Sequence, residues 1–200
     1  MDYSPVMDRD QWNQRYAARD LVWTAEANQF VVSELTEHPR GTAVDLACGE
    51  GRNTVWLAEG GFDATGVDWS QVALDKARRL AEARGVSPTF VEGDLASWTP
   101  EGRTWDVVLL AYLHLPWAAM QRVLAQAAEA VARGGTLLVV GHASANLDRG
   151  VGGPQDPDVL YGPKRVAQAL AGLQIEKAEH VTRSTASGDA IDVLVRARRS

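Results

Sequence analysis

The sequence predicts a doubly wound α/β domain, and three features of the chain support this fold class. Short apolar runs alternate along the chain with segments of helical periodicity, which is the pattern of repeated β-α-β units. The apolar runs are continuous, as expected for parallel strands that helices cover on both faces. The last part of the chain carries two further strand-like runs joined by a turn. The predicted sheet is therefore mostly parallel and seven-stranded, with an antiparallel hairpin at its C-terminal edge.

The order of elements follows from these runs and from the residues between them. Strands are predicted at 42–47, 63–68, 88–93, 105–112 and 135–142. Helical segments are predicted at about 52–60, 70–85 and 117–135, where Ser, Pro or Gly residues mark most of the ends. In the last of these helices, apolar residues recur every three or four positions and predict one buried face, formed by Met120, Val123, Leu124, Ala127 and Val131. The edge hairpin is predicted from 173–182 and 190–198, with its turn in 183–189.

Length and composition indicate one globular domain, and the cysteine content indicates a reducing cellular compartment. A chain of 200 residues fits a single domain, and its 46% hydrophobic and 23% charged residues are close to globular averages. The net charge of −6 argues against nucleic acid as a partner. The single cysteine, Cys48, cannot form an internal disulfide, and neither a signal peptide nor a membrane span is visible. We expect a cytoplasmic monomer or homodimer without a membrane partner.

The most informative segment is the glycine-rich turn DLACGEGRNT at 45–54. Gly49 and Gly51 let the backbone approach a ligand closely, and the free N–H groups at the start of the next helix favour anionic groups. Asp68 ends the second predicted strand, 19 residues after Gly49. An acid at this spacing can accept hydrogen bonds from both hydroxyls of a ribose. The segment therefore predicts a nucleoside-containing cofactor at the carboxyl ends of the strands.

Two acids and one missing glycine indicate which nucleoside cofactor this is. Asp45 lies inside the first strand, where its charge would repel a pyrophosphate but would suit an ammonium group. Thr54 occupies the place of the third glycine in the dinucleotide fingerprint. Asp94 follows the third strand, where it can accept a hydrogen bond from an exocyclic amine. A cationic ligand with an adenine and a ribose fits these positions, and S-adenosylmethionine is such a ligand.

Five motifs, VDLACGEGRNTVWLAEGG, GVDWS, VEGDL, WDVVLLAYLHLP and GGTLLVVGH, together resemble the class I S-adenosylmethionine-dependent methyltransferases in order and spacing. The resemblance covers about residues 42–142. The preceding segment WNQRYAARDLVWTAEANQFV resembles that of tellurite-resistance and thiopurine methyltransferases. The resemblance implies a Rossmann-like methyltransferase fold and in-line transfer of a methyl group to a sulfur, oxygen, nitrogen or chalcogen atom of a small molecule. S-adenosylhomocysteine would be the product.

The resemblance also implies roles for individual residues, although Ala47 replaces the first glycine of the family's turn. Asp45, Ala47 and Gly49 would line the methionine portion of the cofactor. Asp68 would bind the ribose, and Asp94 the adenine amine. The other positions expected at the cofactor are Arg52 at the helix start, Trp69 beside the adenine, Leu95 beside Asp94, Ala111 under the sulfonium, and Trp12, Arg15 and Tyr16 in a partial lid.

Acceptor chemistry is predicted at the ends of the fourth and fifth strands. A thiolate or selenolate needs no base, whereas an oxygen or nitrogen acceptor can need one. His114 is the first candidate for this base and His142 the second, and the Tyr112 hydroxyl could orient the acceptor. Each histidine is also compatible with a purely structural role. No cluster of His, Cys and acidic residues has the spacing of metal ligands, so no metal is predicted.

The single domain, 1–200, is divided into four segments. We expect a helical lid at 1–40, a cofactor-binding core at 42–142, an acceptor loop at 143–162, and a C-terminal helix and hairpin at 163–200. The loop has no clear structural pattern, which is typical of binding loops and lids.

Three other functions are alternatives to a small-molecule methyltransferase for this sequence. A non-catalytic module could bind S-adenosylmethionine without transferring its methyl group. A nicotinamide-dependent oxidoreductase is disfavoured by Asp45. A nucleic-acid methyltransferase is disfavoured by the acidic balance and by LHLP at 113–116, where such enzymes carry an Asn/Asp-Pro-Pro-aromatic motif.

Overall fold

Seven strands form one sheet in a computed structural model that describes residues 7–200, so the expectations for residues 1–6 lie outside the described part. The strand order is β3-β2-β1-β4-β5-β7-β6. The strands are β1 Thr42–Leu46, β2 Asp63–Asp68, β3 Thr89–Glu92, β4 Trp105–Ala111, β5 Val131–His142, β6 Gln174–Thr185 and β7 Gly188–Arg198. The sheet is parallel from β3 to β5, and β7 pairs antiparallel with both β5 and β6. The predicted fold class is confirmed.

Seven α-helices accompany the strands in the described range. They are α1 Arg9–Ala17, α2 Gln29–Leu35, α3 Arg52–Glu59, α4 Gln71–Ala83, α5 Trp117–Glu129, α6 Asn146–Arg149 and α7 Pro163–Gln168, with a 3-10 turn at Pro157–Val159. Among residues 7–200, no helix is long and apolar enough to cross a membrane. Because β1 pairs with both β2 and β4, the order of connections reverses between β1 and β4. A crevice at such a switch point is where α/β sheets bind their ligands.

The inner strands β1, β2 and β4 are buried on both faces, which explains their continuous apolar sequences, whereas the edge strands β3 and β6 are mostly exposed. In β4, Val107 and Leu109 pack on one face with α2 and α3, whereas Val108 and Leu110 pack on the other face with α5. Helices on both faces leave the carboxyl edge of the sheet as the accessible edge for a ligand.

The predicted helix 117–135 is too long, and its last residues belong to β5. The structure ends α5 at Glu129, and Val131 pairs with Trp105 of β4. The spacing of Val131 continues the helical pattern, but its burial comes from the sheet. The pairing then shifts register before Thr136, and Gly134 allows this irregularity with a left-handed φ of 77°. A pairing partner distant in sequence therefore overrides the helical periodicity.

The C-terminal hairpin is confirmed, although its turn is shorter than predicted. Only residues 186 and 187 separate β6 from β7, so residues 183–185 belong to the strand and not to the turn. The segment 143–162 is also more ordered than predicted. Asn146 of α6 is buried, and its side chain accepts from the N–H of Ile191 at 2.7 Å and donates to the carbonyl of Gly152 at 2.8 Å.

Close packing at Gly66 of β2 leads to the first testable prediction. A Cβ at this position would lie 2.9 Å from Cys48 Sγ, Phe90 Cδ1 and Thr54 Oγ1. We expect Gly66→Ala to lower the free energy of unfolding in urea by about 1–3 kcal/mol, because the core cannot accept the extra methyl group without moving. Gly162→Ala is the control, since a Cβ there meets nothing within 4 Å. Equal losses in the two variants would contradict this packing.

Candidate functional site

The turn between β1 and α3 has a backbone that depends on glycine. Ala47, Gly49 and Gly51 have left-handed φ values of 62°, 55° and 80°. A Cβ at Gly51 would lie 2.6 Å from Cβ of Ala77, so only glycine fits there. Ala47 adopts the left-handed conformation with a side chain, which costs roughly 1–2 kcal/mol. The replacement of the family's first glycine by Ala47 therefore strains the turn.

Asp68 joins the end of β2 to this turn. Its Oδ2 accepts a hydrogen bond from the N–H of Gly49 at 2.8 Å, and its Oδ1 accepts one from the N–H of Ser70 at 2.9 Å. Burial raises the pKa of the Asp68 carboxyl, and the amide donors oppose this effect. A carboxylate has about four acceptor positions. Asp68 can therefore shape the turn and still accept hydrogen bonds from a ligand.

Asp45 lies beneath the turn with one oxygen unpaired. The side chain is 1% exposed, and its Oδ2 accepts a hydrogen bond from the Thr54 hydroxyl at 2.7 Å. Its Oδ1 is buried and has no hydrogen-bond partner among residues 7–200. Burial raises the pKa of this carboxyl to about 7. A buried oxygen without a donor fits a ligand that supplies one, as the ammonium group of S-adenosylmethionine would.

The residues predicted for the adenine follow β2 and β3. Trp69 directly follows Asp68 and is half-buried. Asp94 is exposed, and its Oδ1 accepts a hydrogen bond from the N–H of Ala96 at 2.8 Å. Leu95 is buried in the core on the α5 side. These residues lie at the same edge of the sheet as Asp68, because β2 and β3 are parallel.

Helix α1 covers the glycine turn. The Trp12 and Tyr16 rings stack with their centroids 5.4 Å apart, and Tyr16 is buried. The Tyr16 hydroxyl lies 3.0 Å from the position that a Cβ on Gly49 would occupy. The Arg15 guanidinium lies over the rings of Trp12 and Trp23, at 5.2 and 5.4 Å from their centroids. Burial, and after it the neighbouring Asp68, raises the pKa of Tyr16 well above its ordinary value.

A buried ion pair that the sequence analysis missed holds this covering segment in place. Glu50 of the turn and Lys76 of α4 are both buried, with Oε1 and Nζ 3.1 Å apart. The Glu50 carboxylate also accepts hydrogen bonds at 3.0 Å from the N–H groups of Val22 and Trp23. The chain after α1 is thus bound to the turn itself.

Lys76 completes this attachment from the side of α4. Its Nζ donates to the carbonyls of Tyr16 and Arg19 at the end of the covering segment. The sequence carries one signal for this role, because Lys76 falls on the apolar stripe of α4 that includes Ala73 and Ala77. A lysine on a buried stripe usually has a partner.

Arg52 and Ala111 lie between the turn and the acceptor side. Arg52 begins α3 and is half-buried, with its Nη1 3.4 Å from the Thr24 hydroxyl. Burial lowers the pKa of its guanidinium. Ala111 is the last residue of β4 and is half-buried.

The sheet face that packs on α2 and α3 turns polar near the carboxyl end of β5. On β5, the inward positions of Leu138 and Val140 lead to His142. The next inward positions on β7 and β6 are Asp192, two residues before Leu194, and Arg183, two residues after Val181. Asp192 and Arg183 are further residues that the sequence analysis missed.

The Tyr112 hydroxyl is at the centre of this polar layer and is fully hydrogen-bonded. It donates to Asp192 Oδ2 at 2.6 Å, and it accepts from Arg183 Nε at 3.0 Å and from Asn28 Nδ2 at 3.1 Å. A phenol offers one donor and two acceptor positions, so none remains for an acceptor molecule in this arrangement. Burial and the neighbouring Asp192 raise the pKa of Tyr112 well above its ordinary value.

Both ring nitrogens of His114 are also occupied. Its Nδ1 lies 3.1 Å from the carbonyl of Val159, and its Nε2 lies 3.4 Å from the N–H of His142. These partners require a proton on Nδ1 and none on Nε2. Burial lowers the pKa of His114 to about 4, so the ring is neutral at physiological pH. This arrangement suits a structural role better than that of a base.

His142 packs against both of these residues. Its ring stacks on His114 with a centroid distance of 5.5 Å and meets the edge of Tyr112 at 5.2 Å. Its Nδ1 lies 3.2 Å from Asp192 Oδ1. Within the described part of the chain, no group of three or more His, Cys, Asp and Glu residues could hold a metal ion.

Comparisons with known proteins show which proteins this chain is similar to. Residues 43–135 match the family described as a methyltransferase domain. The demethylmenaquinone methyltransferase of Thermus thermophilus is 32% identical over 60% of this chain and 54% of its own length. The trans-aconitate 2-methyltransferase of Sinorhizobium medicae is 32% identical over 82% of this chain and 63% of its own length. In these comparisons the chain is similar to S-adenosylmethionine-dependent methyltransferases of class I. The predicted resemblance is confirmed.

The relatives differ from this chain in length, and the solved structures resemble it in fold. The chain spans 54% and 63% of those two methyltransferases. The N-methyltransferase NodS from Bradyrhizobium japonicum, solved in complex with S-adenosylhomocysteine, has a TM-score of 0.73 to this chain. The alignment covers 96% of this chain and 99% of NodS at 19% identity. At this identity, the likeness shows the fold alone.

The buried pair at the covering segment gives the second prediction. Lys76→Met leaves the Glu50 carboxylate buried without a cation, so we expect the free energy of unfolding to fall by about 3–5 kcal/mol. Hydrogen exchange at the Val22 and Trp23 amides should also accelerate, because Lys76 no longer positions the Glu50 carboxylate that accepts their hydrogen bonds. Urea titration and exchange mass spectrometry measure the two effects. Lys177→Met is the matched control: Lys177 is exposed, and its partner Glu34 keeps a second cation in Arg196, so we expect a loss of less than about 1 kcal/mol.

The third prediction concerns Asp45 and pH. The folded-state pKa of about 7 exceeds the ordinary value of 3.8, so the folded protein holds this proton more tightly than the unfolded chain does. Stability is therefore lost as the pH rises through this range. We expect wild type to lose about 2 kcal/mol more than Asp45→Asn between pH 5 and pH 8 in urea titrations. Asp63→Asn, at the exposed start of β2, should follow wild type. Parallel pH profiles of wild type and Asp45→Asn would contradict the burial of this charge.

Proposed function

We propose that this protein transfers the methyl group of S-adenosylmethionine to a small molecule. The observation that carries the proposal is the buried Asp45 oxygen without a partner, beneath a glycine turn held by Asp68 at the switch point of the sheet. When bound, the cofactor supplies a methyl group that its sulfonium charge has already activated. The protein's own task is then to bind, orient and exclude water.

Individual residues divide this task. Asp45 faces the ammonium group, Asp68 accepts the ribose hydroxyls, and Trp69 and Asp94 hold the adenine. The described part of the lid, 7–40, closes over the cofactor through Tyr16. Gly49, Arg52, Ala47, Leu95 and Ala111 complete the cofactor side, and Trp12 and Arg15 complete the lid.

The acceptor enters from the side of β4 and β5, with 143–162 as its wall. The relatives are named for demethylmenaquinone and trans-aconitate, which are small molecules, and this supports a small-molecule acceptor for this chain. The free, buried Cys48 agrees with a reducing compartment, and we place the protein in the cytoplasm as a monomer or homodimer.

One observation favours a second function, a module that binds S-adenosylmethionine without transfer. The hydroxyl of Tyr112 and both nitrogens of His114 are already hydrogen-bonded within the protein. In that case the protein would bind the cofactor but release no S-adenosylhomocysteine with any acceptor. Measuring this product separates the two functions.

The fourth prediction tests the cofactor site. Asp68→Asn should weaken binding of S-adenosylmethionine by about 1.5–3 kcal/mol, or roughly 10- to 150-fold, because hydrogen bonds to a charged group are lost. Isothermal titration calorimetry measures this change, with circular dichroism as the check on folding. Asp63→Asn removes an exposed charge from the same strand and should bind like wild type. Wild-type affinity in a folded Asp68→Asn variant, or binding of NAD in place of S-adenosylmethionine, would refute the assignment.

A further inference from the structure

We infer that His142 and Asp192 form a proton-accepting pair, and that the methyl acceptor therefore carries a proton on its nucleophilic atom, as an alcohol, a phenol or an amine does. The inference rests on the proposed methyl transfer and adds the acceptor class to it. His142 is the catalytic residue of the pair. Asp192 is the residue that positions it.

The sheet itself brings the two side chains together. His142 of β5 and Asp192 of β7 are direct cross-strand partners on the same face. Asp192 is 0% exposed, and its Oδ2 already accepts from Tyr112 at 2.6 Å and from Arg183 at 2.9 Å. Its Oδ1 lies 3.2 Å from His142 Nδ1, and neither atom has an aligned hydrogen-bond partner among residues 7–200. The two buried atoms are within hydrogen-bond distance of each other, so each can serve as the other's partner.

The surroundings hold the ring in place and leave its other nitrogen available. His114 and Tyr112 pack against the ring from the protein side. From the 143–162 segment, a Cβ on Gly153 would lie 2.7 Å from Cγ of His142, so that backbone touches the ring. The side chain keeps 14% of its surface exposed, while Nδ1 is buried. Within the described residues, Nε2 has no hydrogen-bond partner, so it is the nitrogen that can meet an acceptor.

This arrangement defines the proton's path. As a lone pair of the acceptor atom forms the bond to the methyl carbon, the carbon–sulfur bond breaks and its electron pair stays on sulfur. The proton of the acceptor atom passes to Nε2 of His142, and the resulting imidazolium faces the Asp192 carboxylate. Positive charge thus leaves the sulfur and appears beside a fixed negative charge. A thiolate or a carboxylate arrives without this proton, so the pair would give it no advantage.

The tautomer of His142 is the first test, and it needs neither cofactor nor acceptor. Long-range ¹H–¹⁵N spectra of histidine-labelled protein should show the neutral ring protonated on Nδ1. In Asp192→Asn, the amide oxygen should take the Oδ2 place, where two donors already point, and the NH₂ group would then face Nδ1. The proton should therefore move to Nε2. A wild-type ring protonated on Nε2, or a tautomer unchanged in Asp192→Asn, would overturn the inference.

A second variant provides the same test if the Asp192→Asn protein does not fold. If Asp192→Asn does not fold, Gly153→Ala displaces the His142 ring without touching Asp192, and it should give the same loss of the Nδ1 tautomer. His180→Gln, on the exposed side of β6, supplies the assignment control, because it should leave the His142 signals unchanged.

The acceptor class is tested with two sets of probes and release of S-adenosylhomocysteine. One set contains 4-methylphenol, benzyl alcohol and benzylamine, and the other contains 4-methylbenzenethiol and benzoate. We expect turnover of the first set, and a loss of about 10²–10⁴-fold in kcat in His142→Gln but not in His180→Gln. Turnover of the second set alone, or an equal effect of His142→Gln on both sets, would overturn the acceptor class. Failure to bind S-adenosylmethionine would instead refute the proposed function, because the tautomer is measured without it.

Discussion

The hydrogen bond from the Gly49 amide to Asp68 connects two strands, the glycine turn and the cofactor site, and most of the site's geometry depends on it. The turn passes through left-handed conformations at three residues, one of which is an alanine. Such a backbone persists only where its surroundings fix it. Asp68 fixes it from β2, together with the bond from the Cys48 N–H to the Val67 carbonyl at 3.0 Å. Once the turn is fixed, Glu50 points to the covering segment and Asp45 lies below. One carboxylate therefore shapes the turn, and in the proposed function it would also bind the ribose.

Three buried carboxylates near this turn differ in what compensates their charge. Glu50 has Lys76 and two backbone amides, and it holds the covering segment. Asp68 has two backbone amides. Asp45 has only the Thr54 hydroxyl and keeps an unpaired oxygen. Leaving a buried group unsatisfied costs stability, and proteins keep such groups at functional sites. The unfavourable carboxylate is the one best placed to gain from a cationic ligand.

The fold and the glycine turn with Asp68 beside it could be predicted because their signals are local in sequence. Continuous apolar runs indicate a parallel sheet, and Gly49, Gly51 and Asp68 lie within a single β-α-β unit. The end of α5 could not be predicted. Val131 fits the helical spacing, but it belongs to β5 because it pairs with Trp105 of β4. Asp192 and Arg183 could not be assigned either, because their partners come from the register of β5, β6 and β7. The one available sign was an acid inside the apolar run AIDVLV, which a buried strand does not carry without a partner.

The antiparallel direction of β7 places further polar side chains at the ligand edge of the sheet. In a parallel sheet, only the carboxyl ends of strands reach the ligand edge. Because β7 runs the other way, its first half lies beside the last residues of β5, and Asp192 meets His142 there. The family match ends at residue 135, before His142, Arg183 and Asp192. In the proposed function, the part of the chain that matches the family would provide the cofactor site, whereas the hairpin, which lies outside that match, would provide the polar layer where the acceptor binds. A domain built in this way can keep its methyl donor while the choice of acceptor changes in the C-terminal strands.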